Sequence, residues 1–358
     1  MAKTRSTTQS GRRCAAALAL GLLSFALPLS AGAPRAARAG PDAPAIDAEA
    51  LMAHVRRLAG EDLAGRGSWK TRDVASRYVG RHFASAGLQV LPGADSMYFE
   101  TKGVKEPALR NVAAWLPVGA KPAEEYVIVS AHYDHLGRKT TKRKEGESTI
   151  ETTRLFPGAD DNATGVAALL ELARVLVAAQ RLDPASLERS IVFVAFDLEE
   201  ERLRGSEQWV SSPPPGLPLA ACAAFLTMDM LGRSMADMVP GSLFLMGTES
   251  CAALRDLVRV APQPEDGRKL VLGIDFQPGY SDYEPFRKRH VPYVFVTSGA
   301  CRDYHQPGDT ADRVDAKQLL ARTRWIRRLV PQIANLPERP AWRDGVEPDL
   351  AEIRDLRY

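Results

Sequence analysis

Five short apolar runs, Tyr126 to Ala131, Ile191 to Phe196, Ala223 to Met228, Leu243 to Met246 and Tyr293 to Thr297, punctuate this sequence, and helical stretches such as Ala163 to Ala179 and Ala316 to Ile333 lie between or beyond them. Apolar runs of this length, without polar alternation, read as strands covered on both faces. Their alternation with helices predicts an α/β fold: a mixed, mostly parallel central sheet with helices on both faces. Leu51, Met52, Val55 and Leu58 recur at helical spacing, as do Val74, Ala75, Tyr78, Val79 and Phe83 ahead of Gly87, a helix stop. Two helices therefore open the domain.

The residues just past the runs point to chemistry. Tyr126 to Ala131 leads into His132-Tyr133-Asp134, Ile191 to Phe196 into Asp197-Leu198-Glu199-Glu200, and Ala223 to Met228 into Asp229; Tyr293 to Thr297 leads through a short loop to Tyr304-His305. The carboxyl ends of parallel strands share one edge of the sheet, where ligands bind. Pro157-Gly158-Ala159-Asp160-Asp161-Asn162, a tight acidic turn running into a helix, adds to the cluster. One such His is usually structural and one acidic pair is usually a solvated turn; the joint placement at strand ends is what carries weight.

So many carboxylates in one place repel one another, and several would protonate unless a cation sat among them. Nitrogen and oxygen donors without sulfur suit zinc, and manganese or cobalt would also fit. Two divalent ions with three ligating carboxylates leave one positive charge, which a hydroxide would neutralise. A single ion would leave the cluster anionic. Of the remaining histidines, His54, His82 and His290 lie away from strand ends and read as structural or surface residues, and His135 is left open beside the better placed His132.

Lys and Arg number 47 against 44 Asp and Glu, but residues 1–39 hold Lys3, Arg5, Arg12, Arg13, Arg35 and Arg38 and no acid, so the remainder stands at 41 against 44. That balance argues against a nucleic-acid partner, which needs a basic face on the folded part. The same stretch has a cationic start, an apolar run from Ala15 to Leu29 and small residues suited to cleavage, so residues 1–39 read as a secretory signal, cut after Ala39, with export to the periplasm or beyond. The run is shorter than the roughly 20 residues that span a bilayer, so no stable membrane anchor is expected. Cys14 would leave with the signal. Of the three cysteines that stay, Cys222 reads as a buried thiol and Cys251 with Cys301 is the pairing to test.

Residues 40–45 read as a linker, 46–335 as the enzyme domain and 336–358 as a surface tail. Gly137 to Arg154, rich in Lys, Thr and Glu, reads as a solvated loop or hairpin and not as a binding patch.

At these residues the sequence resembles the M28 family of zinc aminopeptidases, from about Leu58 to Val314. The motifs are Leu63-Ala64-Gly65-Arg66-Gly67, Ser130-Ala131-His132-Tyr133-Asp134-His135-Leu136-Gly137, Gly158-Ala159-Asp160-Asp161-Asn162-Ala163-Thr164-Gly165, Glu199-Glu200 with Gly205-Ser206, Met228-Asp229, and Tyr304-His305 with Asp309-Thr310. The resemblance implies two zinc ions bridged by Asp161, with His132 and Asp229 completing one site and Glu200 and His305 the other. It implies Glu199 as general base, Tyr304 as oxyanion donor, Asp134 orienting His132, and a cis peptide after Asp161. The substrate would be a peptide or aminoacyl compound with a free N-terminus. Leu198 and Arg202 stand where many members have Gly, and Tyr283 where many have His.

Other readings stay open. Glu199 could cap the helix beyond it, and Tyr304 could be a packing aromatic. A glutaminyl cyclase shares the fold with one zinc ion, Arg302 keeps a carboxypeptidase in play, and a non-catalytic binding ectodomain is the third alternative. Oligomeric state is not read from the sequence.

Overall fold

A computed structural model describes residues 44–101, 109–118, 124–145, 148–238, 241–265, 267–272 and 280–344. The proposed signal, residues 1–39, lies outside the described residues, as does most of the linker.

Helix α1 (Ala48–Leu58) starts where the Asp47 carboxylate accepts the Ala50 N–H at 3.2 Å, and α2 (Trp69–Ala86) starts at a reciprocal Ser68/Thr71 cap and stops at Gly87, whose φ of 89° lies in the left-handed region. Then come β1 (Tyr98–Thr101), β2 (Leu109–Leu116), β3 (Tyr126–His132), the hairpin β4 (Gly137–Glu145) and β5 (Ser148–Phe156), α3 (Gly165–Leu182), β6 (Ser190–Phe196), α4 (Arg204–Ser211) and β7 (Cys222–Met228). The rest is β8 (Ser242–Met246), α5 (Ala252–Val260), β9 (Arg268–Leu272), α6 (Tyr283–Arg287), β10 (Tyr293–Thr297) and α7 (Ala316–Ala334).

Eight strands form one sheet in the order β1-β2-β6-β3-β7-β10-β8-β9. The central four, β6, β3, β7 and β10, run parallel to one another, and the sheet turns antiparallel at β2 and at β8. All five expected strands are present within one residue of their expected limits. Every residue of β3, β6 and β7 is buried because successive side chains enter opposite cores. Val127, Val129 and Ala131 face α1, α2, α3 and α7, whereas Tyr126 and Ile128 join Trp209, Phe225 and Phe286 on the side of α4 and α6. The Phe225 and Phe286 rings stack with centroids 3.9 Å apart.

β4 and β5 pair only with each other and stand out from the body, exposed along nearly their whole length, as a solvated hairpin would. One expectation needs correction. Cys251 and Cys301 are free buried thiols, as is Cys222, so no disulfide joins them. The start of the surface tail is held to the body: Arg343 N–H bonds the Ser250 carbonyl at 2.7 Å, and Trp342 packs beside the second core and stacks on His290.

Candidate metal centre

Because β3, β6, β7 and β10 are parallel, their carboxyl ends deliver His132, Glu199 with Glu200, Asp229, and Tyr304 with His305 to one edge. The turn before α3 brings Asp161 between them. His132 Nε2 lies 3.3 Å from Asp161 Oδ1 and 3.4 Å from Asp229 Oδ1. On the other side of the same carboxylate, Asp161 Oδ2 lies 3.2 Å from His305 Nε2, which is 3.1 Å from Glu200 Oε2. Asp161 is thus shared by two sets of donors.

His135, left open by the sequence, belongs to the second set. Its Nδ1 lies 2.7 Å from Glu200 Oε1 and 3.6 Å from Asp161 Oδ2, and its ring stands edge-on to that of His305 at 5.7 Å. Its place three residues beyond His132, just past the end of β3, is the signal in the sequence that points to it.

The backbone around these groups is tightly held. Asp309 accepts the N–H groups of Asp160 and Asp161 at 2.8 and 3.0 Å, which fixes the acidic turn. The Asp161-Asn162 peptide is cis, in agreement with the resemblance. Asn162 Nδ2 donates to the Met228 carbonyl, and its Oδ1 accepts from Gly165 and Met230, tying the turn to the end of β7. Asp134 accepts the N–H groups of Glu199 and Glu200, and its Oδ1 lies 3.5 Å from His132 Nδ1.

Beneath them sits Arg66, fully buried, whose guanidinium donates to the carbonyls of Leu58, Tyr133, Pro157 and Gly158. Burial lowers its pKa to about 10, and Asp161, Asp309 and Asp134 pull the other way, so it stays a cation at neutral pH. This gives the Leu63-Ala64-Gly65-Arg66-Gly67 motif a structural purpose: it joins the two ligand-bearing loops.

Glu199 does not cap α4, whose first turn has no side-chain cap. Its carboxylate instead lines a cavity of about 160 Å³ together with Asp161, Asp229 and Tyr304, walled by Met230, Met235 and Phe295. The Tyr304 ring stacks on His305 at 3.9 Å. Arg302, exposed, donates to the Ala236 carbonyl at 3.2 Å and is not among the cavity-lining residues. One carboxylate is not singled out by the sequence: Asp282, wholly buried and close enough to His132 to feel its charge. Its pKa rises to about 7, chiefly through burial.

The donor set fits a cation. The Nδ1 and Nε2 of both His132 and His135, Glu200 Oε1 and Asp229 Oδ1 are all buried, yet none of them makes a well-directed hydrogen bond among the described residues. Unsatisfied buried polar atoms of this kind are costly unless something binds them. His132, Asp161 and Asp229 can each turn one ligand atom to within 4.8 Å of the others, and so can His135, Asp161 and Glu200. The protonation pattern agrees. Burial opposes charge on His132, yet Glu199 and Asp229 outweigh it and hold the imidazole well above its ordinary range. Burial likewise opposes charge on Asp161, yet His135 and His132 hold that carboxylate well below its range. Burial drives Glu199 well above the usual carboxylate range against the pull of His132. A cluster that must borrow imidazole protons to balance its carboxylates is one that a divalent cation would balance better.

The sequence pattern of peptidase family M28 matches residues 111–330. A probable leucine aminopeptidase of Arthroderma otae is 25% identical over 243 residues, covering 66% of this chain and 60% of that protein. The chain spans about three fifths of the length of the curated relatives it matches in this way. The same fold is found in the LapA aminopeptidase of Legionella pneumophila, with a TM-score of 0.62, 16% identity and coverage of 81% of this chain and 73% of that one. It is also found in Porphyromonas gingivalis glutaminyl cyclase, with a TM-score of 0.57, 21% identity and coverage of 80% and 98%. With its pattern matched across both ligand-bearing loops and the sheet between them, the chain belongs to peptidase family M28.

Proposed function

We propose that this protein is an exported metallo-aminopeptidase that holds two zinc ions and removes the N-terminal residue of peptides. The observation that carries the reading is the shared Asp161, with one oxygen toward His132 and Asp229 and the other toward His305 and Glu200. These five residues would hold the metal, manganese or cobalt being the substitutes. His135, set against Glu200 on the buried side, would orient that ligand.

When bound, zinc supplies Lewis acidity, polarising a carbonyl and acidifying water toward neutrality. The chain's own residues do the rest. Glu199, as the carboxylate facing the cavity, takes the proton of the attacking water and passes it to the leaving amine. Tyr304, whose hydroxyl is kept protonated by burial and by the nearby carboxylates, donates to the developing oxyanion. Carboxylates of Asp161, Glu199 and Asp229 at the cavity wall favour an α-ammonium group over a carboxylate, and the Met230, Met235 and Phe295 wall favours an apolar first side chain.

Residues 1–39 would serve as the export signal and 46–335 as the peptidase domain. The test is metal analysis of the mature protein together with a panel of aminoacyl-anilides, using chelation and add-back. Two metals per chain and chelator-sensitive release of the anilide are expected. One metal with pyroglutamate formation would move the assignment to a cyclase, and no turnover with metal bound would sink it.

A further inference from the structure

The β4–β5 hairpin is rooted in the centre itself. It leaves the body at Gly137, two residues after His135, and returns at Phe156, five residues before Asp161, with Gly137 and Phe156 paired across its base. Gly65 and Gly67 clasp that base: a Cβ on Gly65, whose φ is 66°, would sit 1.9 Å from the Phe156 carbonyl oxygen. Two strands of nine residues reach about 30 Å from such a root. An isolated two-stranded ribbon is marginal in water, so a long one with both faces wet asks for a purpose.

Its faces differ. Lys142 forms an ion pair with Glu151 at 2.5 Å on one. On the other, Lys139 lies directly opposite Arg154, and Arg143 directly opposite the exposed Ile150. Like charges across a strand pair are destabilising. Among the described residues none of these three cations has an ion-pair partner, and only Lys139 has a further contact, its Nζ lying 5.5 Å from the Phe156 ring centroid. Edge strands carry lysines to resist unwanted pairing, but here Lys139, Arg143 and Arg154 outnumber the one acid on their face, Glu145 at the tip, and among the described residues none of the three is ion-paired with it.

We propose that this face of the hairpin docks acidic peptide segments, and that it holds the downstream part of an acidic substrate at the root that leads to the cavity beside Asp161. The docking stands on the hairpin alone; the delivery rests on the aminopeptidase reading.

The experiment separates the two. Binding of an N-acetylated, fluorescein-labelled peptide ending in four glutamates is measured by anisotropy against a neutral and a four-lysine counterpart, using the metal-loaded full chain. Acetylation blocks aminopeptidase cleavage, so this arm does not depend on turnover. Wild type should bind the acidic peptide about tenfold more tightly than the neutral one at low salt, the gap closing as the ionic strength rises. The Lys139→Gln/Arg143→Gln/Arg154→Gln variant should lose the preference, and Lys139→Glu/Arg143→Glu should shift it to the lysine peptide. In a second arm, leucyl-anilide hydrolysis should be unchanged in both variants, which reports that they are folded, while kcat/KM for a free-amine acidic peptide falls through KM. Equal wild-type binding of all three peptides, or a preference that survives in the triple variant, overturns the proposal. So does binding of phosphatidylglycerol vesicles through these cations without binding of the acidic peptide. If leucyl-anilide is not hydrolysed by wild type, the aminopeptidase reading fails while the anisotropy arm still decides the docking.

Discussion

Asp134 accepts the backbone N–H of Glu199 at 3.0 Å, and the same carboxylate takes the N–H of Glu200 at 3.2 Å while lying 3.5 Å from His132 Nδ1. One side chain thereby sets the position of the proposed base and of one proposed ligand for each of the two proposed metals. Asp134→Asn keeps the shape but replaces an acceptor oxygen by a donor. Metal affinity and kcat/KM should each fall about 10- to 100-fold, the range for groups that orient metal ligands. Isothermal titration with zinc and anilide kinetics measure this, and an unchanged affinity would refute the coupling.

Glu199 touches no other donor at ion-pair distance among the described residues and faces the cavity. For Glu199→Gln we expect a loss of about 10²- to 10⁴-fold in kcat with metal stoichiometry unchanged. Near wild-type turnover with two metals bound would remove it from the role of base.

Asp161 belongs to both donor sets, so Asp161→Asn should weaken both sites and not only one. Free metal at 100 times its Kd stabilises a folded protein by about 2.7 kcal/mol. The wild-type melting temperature should therefore drop on chelation and recover on adding zinc, whereas Asp161→Asn should melt at nearly the same temperature with or without chelator.

Acid should weaken the packing of α1, α2 and α3 around His54, His82 and Glu171. His54 Nδ1 is 2.7 Å from the Tyr78 hydroxyl, its ring abuts His82, and Glu171 is gripped by Arg174. Burial, helped by His54 and Arg81, lowers the His82 pKa to about 4 from 6.5. The unfolded chain then binds the extra proton first, so stability declines as pH falls from about 6.5 to 4. Glu171 resists burial through its bonds to His54 and Arg174, and its pKa falls to about 2. A depressed carboxylate contributes stability above its unfolded value, 4.5, that is lost as pH falls toward 2. Melting curves from pH 7 to 4 should show a fall that His82→Gln reduces; equal slopes in the two proteins would count against the assignment.

Leu198 and Arg202, which stand where the family resemblance implies glycine, both keep left-handed backbones, with φ of 54° and 66°. Non-glycine residues there carry strain of about 1–2 kcal/mol. Leu198 is buried and offsets this through packing, but Arg202 is exposed. Arg202→Gly should raise stability by about 1 kcal/mol in urea unfolding, a change that most surface substitutions do not produce.

The central sheet is legible because its strands are buried on both faces and therefore read as unbroken apolar runs. The outer strands are not. β2 is interrupted by Arg110 and Asn111, whose polar groups are satisfied by Asp73, Glu100 and the Gly205 carbonyl, contacts that no local pattern reveals. α4, α5 and α6 span nine residues or fewer, too short for periodicity to show. At the centre, most of the proposed ligands draw notice in the sequence because they stand just past strand ends. His135 is left undecided and Asp282 unnoticed because their importance comes from what surrounds them in space: Glu200 in one case, and burial beside His132 in the other.

The clasp of Gly65 and Gly67 on the Gly137–Phe156 pair separates the arm mechanically from the metal ligands, since everything beyond it can lengthen, shorten or change composition without disturbing the loops at its foot. The tip near Glu145 and Ser148 is therefore a natural port for grafting: a binding loop or an environment-sensitive dye placed there would report on, or redirect, what reaches the catalytic edge while leaving the chemistry intact.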